Sequence, residues 1–142
     1  MAVIRFLQIS DLHLGRPFGW LPPDKRADRR SDQRRALDLA VRQSIELGAH
    51  IVPMNFLNPI AGTPLGQQQP LAPLEILKSI ACFRFILPRQ EITIAGGRTV
   101  NLRDLQSLMF FAGASALMVG NYLTTPNQPV EKDLQMLKDL GL

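Results

Sequence analysis

Two places in this 142-residue sequence combine residue types that could do chemistry. In the first, the β-branched run Ile92, Thr93 and Ile94 leads through Ala95 into Gly96, Gly97 and Arg98, and a helix start follows. Two glycines let the backbone turn sharply and come close to a ligand. The arginine adds a fixed positive charge and a planar fork of donors. This order aims a cation at whatever lies above the C-terminal edge of the strand; the same spacing is also met in a plain turn with a surface arginine. In the second place, Asp11 and His13 stand one residue apart just beyond an apolar run at residues 3–9. A carboxylate and an imidazole so placed can bite one divalent ion, and weak, exchangeable Mn²⁺ binding is the expectation.

A third feature is charge alone. Net charge is +4, and Arg16, Lys25, Arg26, Arg29, Arg30, Arg34 and Arg35 crowd together. Asp24, Asp28 and Asp32 are interleaved with them, as on a solvated loop and helix face, so a nucleic-acid partner is not expected. Hydrophobic residues make up 46% and charged residues 20%, the balance of a soluble globular domain. The length falls short of the roughly 250 residues of a complete (β/α)₈ barrel. No apolar run approaches the ~18 residues that span a bilayer. The first residues do not make a signal peptide, so no membrane association and a cytoplasmic location are expected. Cys82 is the single cysteine, which excludes a disulfide framework or a thiolate cage; it reads as a core residue.

The elements that must position these residues alternate. A strand is expected at residues 3–9, a loop at 10–16 and irregular chain at 17–30. A helix at 31–47 follows, with Ser31 as N-cap, a stripe of Leu37, Ala40, Val41, Ser44 and Ile45, and Gly48 as its stop. A second strand at 51–56 leads into a turn-rich loop. Pro73 opens a helix that Pro88 ends; it is apolar on most faces and should be well buried. A third strand at 91–95 precedes a helix capped by Asn101 and ended by Gly113. A short fourth strand at 116–119 precedes a last helix opened by Pro129 and ended by Gly141. The pattern is (βα)₄, an α/β open parallel sheet with right-handed crossovers. Its C-terminal strand ends would carry Asp11 and His13, Asn55 and Asn58, Arg98, and Gly120 with Asn121. There is no catalytic Ser/His/Asp set, P-loop or Rossmann fingerprint.

Residues 51–142 carry motifs of one known family. They are the run 52–65 with Pro53, Asn55, Asn58 and Gly62; the run 95–106 with Gly96, Gly97, Arg98 and Asn101; Gly120 through Pro126; and Asp133 through Gly141. This part resembles the C-terminal region of biotin synthase, also called the biotin and thiamin synthesis associated domain. The resemblance implies a piece of a (β/α)₈ barrel from a radical S-adenosylmethionine enzyme that inserts sulfur into dethiobiotin. By that resemblance Arg98 corresponds to an arginine that ligates an auxiliary iron–sulfur cluster, and Asn55 to an asparagine facing the substrate. The family's cluster-holding cysteines have no counterpart in a sequence with one cysteine. Neither the cluster nor S-adenosylmethionine is therefore expected to bind, and the chain is expected to be inactive alone.

Residues 1–50 resemble the first βα unit of the calcineurin-like metallophosphoesterases, nearest the DNA repair exonucleases, through the run from Phe6 to Arg16 and the helix ending at His50. There Asp11 and His13 would be two of several metal ligands; the family's later motifs are missing. The sequence thus reads as a chimera joined near residue 50, a foreign βα unit before three biotin-synthase-like ones. Its functions in contention are a biotin-synthase-like fragment, a metallophosphoesterase-like metal-binding fragment and a non-catalytic α/β module. Four strands cannot close the parent barrel. Phe56, Ile94 and Val119 are then candidates for an exposed apolar side, and a homodimer or aggregation is the expected state.

Overall fold

The computed structural model describes residues 18–123 and 125–142. The strand expected at residues 3–9, its pairing with the next strand, and Asp11 and His13 lie outside the described residues. The chain divides into two compact units, Met1–Ala49 and His50–Leu142.

In the first unit one long helix, α1 (Pro23–Glu46), starts eight residues earlier than the sequence reading places it. Pro23 sits at the first position, where its missing N–H costs nothing, and Asp24 suits the positive end of the dipole. Of the stretch expected to be irregular, residues 18–22 are turn and bend, whereas residues 23–30 are charged helix. Ser31 therefore lies inside the helix and caps nothing. Asp38 and Arg42 pair at 2.8 Å one turn apart, and both are exposed, so the pair is a minor support. Ala40 and Val41 are buried, whereas Ile45 of the expected stripe is exposed. Gly48, with φ 68°, follows the helix end as expected.

The second unit holds β1 (Ile51–Met54), α2 (Pro73–Ile86), β2 (Glu91–Ile94), α3 (Arg98–Leu102), a 3₁₀ turn (Arg103–Leu105), α4 (Leu108–Phe111), β3 (Ala116–Leu117) and α5 (Val130–Asp139). The sheet is open and parallel, in the order β1-β2-β3. Ile51 pairs with Glu91 and Met54 with Ile94; Thr93 pairs with Ala116 and Ile94 with Leu117. Among the described residues the sheet has three strands, paired in sequence order as the βα alternation predicts.

The core forms where α2 covers the middle strand. Ile76 and Ile80 lie one turn apart and meet Ile92 and Ile94, which share one face by the strand's two-residue period. Leu102, Met109 and Ala114 complete the cluster. Each such aliphatic side chain contributes roughly 1.5–3 kcal/mol by leaving water. Ile94 is therefore core, contrary to its expected exposure, while Val119 is exposed and Phe56 half-buried.

Two helices differ from expectation. α2 buries only the Ile76–Ile80 side; Leu74, Phe85 and Ile86 face outward, and so does Cys82, which is not core. One sheet face can cover only one stripe of a helix, whatever the composition of the rest. The helix expected from Asn101 to residue 112 is broken into α3, the 3₁₀ turn and α4. The break falls at Arg103, whose φ of 51° ends regular helix. Asn101 is inside α3, and the N-cap is Gly97.

Arg84 ties the far end of this unit together. Its guanidinium donates to the carbonyls of Leu87, Gln90 and Gly113 and to Ser115 Oγ, at 2.8–2.9 Å. It thus occupies the Leu87 and Gly113 carbonyls just past the ends of α2 and α4, and that of Gln90 just before β2.

Candidate functional site

The polar groups meet at the C-terminal edge of β1 and β2. After β1, Asn55 turns its Oδ1 to accept the Gly96 N–H at 2.8 Å. The Phe56 N–H donates to the Gly96 carbonyl at 2.9 Å, and the Ala95 N–H to Met54 O at 2.9 Å. The loops leaving the two strands are therefore bridged by backbone and side chain. Gly97 makes the bridge feasible: its φ is 78°, and a Cβ there would overlap the Phe56 carbonyl oxygen. Asn101 reaches back from α3 and donates to Leu57 O at 2.9 Å and Gly97 O at 2.7 Å. With two carbonyls before its nitrogen, its Oδ1 faces away, buried and without a partner.

Arg98 enters this edge from the first turn of α3 and is fully buried, at 0% exposure. It meets Asp133 of α5, also at 0%. Nη1 lies 2.9 Å from Asp133 Oδ1 and Nη2 2.9 Å from Oδ2, a two-point pairing. Nη1 also donates to Gln106 Oε1, and Nη2 to the Met118 carbonyl at 3.3 Å. Gln106 Nε2 donates to Gln128 Oε1 at 3.1 Å, and Gln128 Nε2 donates to Asp133 Oδ1. Arg98, Gln106, Gln128 and Asp133 thus close a ring. A buried cation without a partner would be very costly, and this ring is what makes Arg98 tolerable there.

Tyr122 stands beside the ring, its hydroxyl donating to Ala95 O at 2.7 Å. Burial raises its phenol above the ordinary range, and the nearby Arg98 charge works against that shift. The tyrosine is therefore held neutral, as a donor.

The structure brings Asn55 and Arg98 to one edge, bridged through Gly96. Asn55 is exposed there while Arg98 is not. Asn121, expected at the same edge, accepts the Asn127 N–H at 3.1 Å and organises its own loop. Asp133, Gln106, Gln128 and Tyr122 were not singled out by sequence. One signal was present: Asp133, Met136, Leu137 and Leu140 recur at helical spacing, so a carboxylate sits on an otherwise apolar stripe. Among the described residues no group of three or more His, Cys, Asp or Glu is gathered in a way that could hold a metal.

Fold and edge together define a parallel α/β unit whose polar groups cluster at the C-terminal strand ends, where such sheets take ligands. Residues 53–142 match the family model of the Biotin and Thiamin Synthesis associated domain, and the chain belongs to that family. Among its relatives, the biotin synthase of Geobacter sulfurreducens is 57% identical over 111 residues, 78% of this chain and 33% of the relative. That of Heliobacterium modesticaldum is 63% identical over 97 residues, 68% of this chain and 30% of the relative. The chain spans about a third of the length of these relatives. The 111-residue match is longer than the segment 51–142, so it takes in residues before Ile51 as well.

Proposed function

We propose that the unit from His50 to Leu142 is the C-terminal part of a biotin-synthase-type enzyme, which inserts sulfur into dethiobiotin, and that the chain has no such activity alone. The observation that carries this reading is the family match over residues 53–142, within which the loops bearing Asn55 and Arg98 are joined by the Gly96 N–H donating to Asn55 Oδ1. In this role Asn55, exposed at the edge, touches the substrate, and Arg98 provides the buried cation behind it.

The donor set does not fit an iron–sulfur cluster within this chain. Both terminal nitrogens of Arg98 are engaged, by hydrogen bonds to Gln106, Met118 O and Asp133 and by the Asp133 ion pair, and the one cysteine, Cys82, is exposed on α2. A cluster needs thiolates, so any cluster chemistry belongs to residues this chain lacks. No observation on the described residues favours a metallophosphoesterase role. Self-association of the isolated chain is part of the same proposal, because a fragment of a larger sheet leaves apolar side chains without cover.

The test is a chimaeric protein in which residues 50–142 replace the corresponding part of the Geobacter sulfurreducens biotin synthase. Biotin formed from dethiobiotin by the reconstituted chimaera is the expected result. A folded, cluster-loaded chimaera without product would overturn the reading. The 142-residue chain, treated with iron and sulfide, should form none.

A further inference from the structure

The sheet stops short on one side. Ala116, Leu117, Met118 and Val119 form an apolar run long enough for a four-residue strand, yet β3 spans only Ala116–Leu117. These two pair with Thr93 and Ile94 of β2. β3 is last in the order β1-β2-β3, so among the described residues its outer side has no strand. Met118 and Val119, which would continue it, are 45% and 46% exposed. The opposite end of the sheet is different. His50 O and Met54 O both accept N–H groups from β2, so Pro53, out of phase with them, turns its backbone to the outer side. A proline has no N–H to give there. β1 is thus a blunted edge and β3 an open one.

We infer that the outer side of β3 is a docking edge for a separate chain that carries the rest of a biotin-synthase-type enzyme, which adds a strand there and extends β3 through Val119. Strand addition at an open edge supplies main-chain hydrogen bonds, and alternate side chains such as Val119 gain cover. A parallel sheet is a structure that other chain must cover and continue. The relatives carry that other chain: the match takes up 33% of the Geobacter sulfurreducens enzyme, and the remainder of its length has no counterpart in the match. A second copy of this chain is the poorer occupant, because its β1 edge is blunted by Pro53 and its β3 has only two residues. The inference rests on the proposed function for the identity of the partner and names the surface that receives it.

The test co-expresses the 142-residue chain with the Geobacter sulfurreducens biotin synthase cut short before the part that this chain matches. Hydrogen exchange over residues 116–119 is then followed by mass spectrometry. The two chains should co-purify one to one, and residues 116–119 should lose the fast exchange they show in the chain alone. The intact relative, whose own copy of this part fills the place, should not bind. Val119→Asp, at an exposed position, should keep a cooperative melt and lose the complex. Several results would overturn the inference: separate elution, a shortened partner that stays insoluble beside the chain, unchanged exchange at 116–119 in a complex, equal binding of the intact relative, or a complex that survives Val119→Asp. Slow exchange at 116–119 in the chain alone that strengthens with its concentration would assign the edge to a second copy and overturn it as well. None of these outcomes reads product formation, so a chimaera that makes no biotin and a complex that does not form are separate failures.

Discussion

At the scale of single residues, the edge is built from groups that satisfy one another, and each can be tested by its loss. Asp133→Ala leaves the Arg98 charge buried and unpaired, which costs about 3–5 kcal/mol and should appear as a large fall in the denaturant midpoint. Tyr122 is the single tyrosine of the sequence, so ultraviolet absorbance follows its ionisation alone. Its midpoint should lie above 10, because burial disfavours the phenolate more than Arg98 favours it. The sign for stability follows. A phenol that loses its proton more readily when unfolded contributes fully below pH ~10, and that contribution is lost as pH rises through the higher folded value. Denaturation at pH 9 and pH 11 should show the loss, and Tyr122→Phe should reduce it.

At the scale of elements, the edge depends on how the loop after β1 meets the start of α3. Gly97 and Gly141 have nearly the same backbone angle, φ 78° and 74°. A side chain at Gly141 would meet nothing, whereas one at Gly97 would overlap the Phe56 carbonyl oxygen. Both alanine variants carry the left-handed penalty of roughly 1–2 kcal/mol. Gly97→Ala should cost clearly more, since the loop must also move, and the difference in unfolding free energy measures the closeness of the two loops. Had Gly97 been only a turn residue, the two variants would match. In the core, Ile80→Ala removes a fully buried side chain between α2 and β2 and should cost about 2–5 kcal/mol.

For the whole molecule, the apolar side chains left in water predict behaviour in solution. Phe85 is 88% exposed and Phe111 79%, each near the end of its helix. Large aromatics left uncovered favour association. Light scattering should report dimers or larger species, and Phe85→Glu with Phe111→Glu should shift the chain toward monomer. A monodisperse monomer in the parent chain would contradict this. No helix among the described residues is long and apolar enough to cross a membrane.

What the sequence determined by itself is local. The alternation of β-branched runs with helical stretches set the parallel order of β1, β2 and β3; Pro73 set the start of α2; and Gly96, Gly97 and Arg98 marked the edge. Each follows from backbone preferences that act within a few residues. The long α1 was legible in principle from Pro23 and Asp24, but its uniform charge hides the apolar period that normally reveals a helix. Tertiary structure alone decided the rest. Arg98 and Asp133 are 35 residues apart, and nothing in their spacing says that one neutralises the other. Asn101 stands where a cap would, yet serves the carbonyls of Leu57 and Gly97. Cys82 and Phe85 belong to an apolar helix, yet face water because the sheet covers only the opposite side. The physical reason is the same in each case. A buried polar group must be satisfied and one helix stripe must be covered, but which partner does so depends on where the whole backbone brings them together.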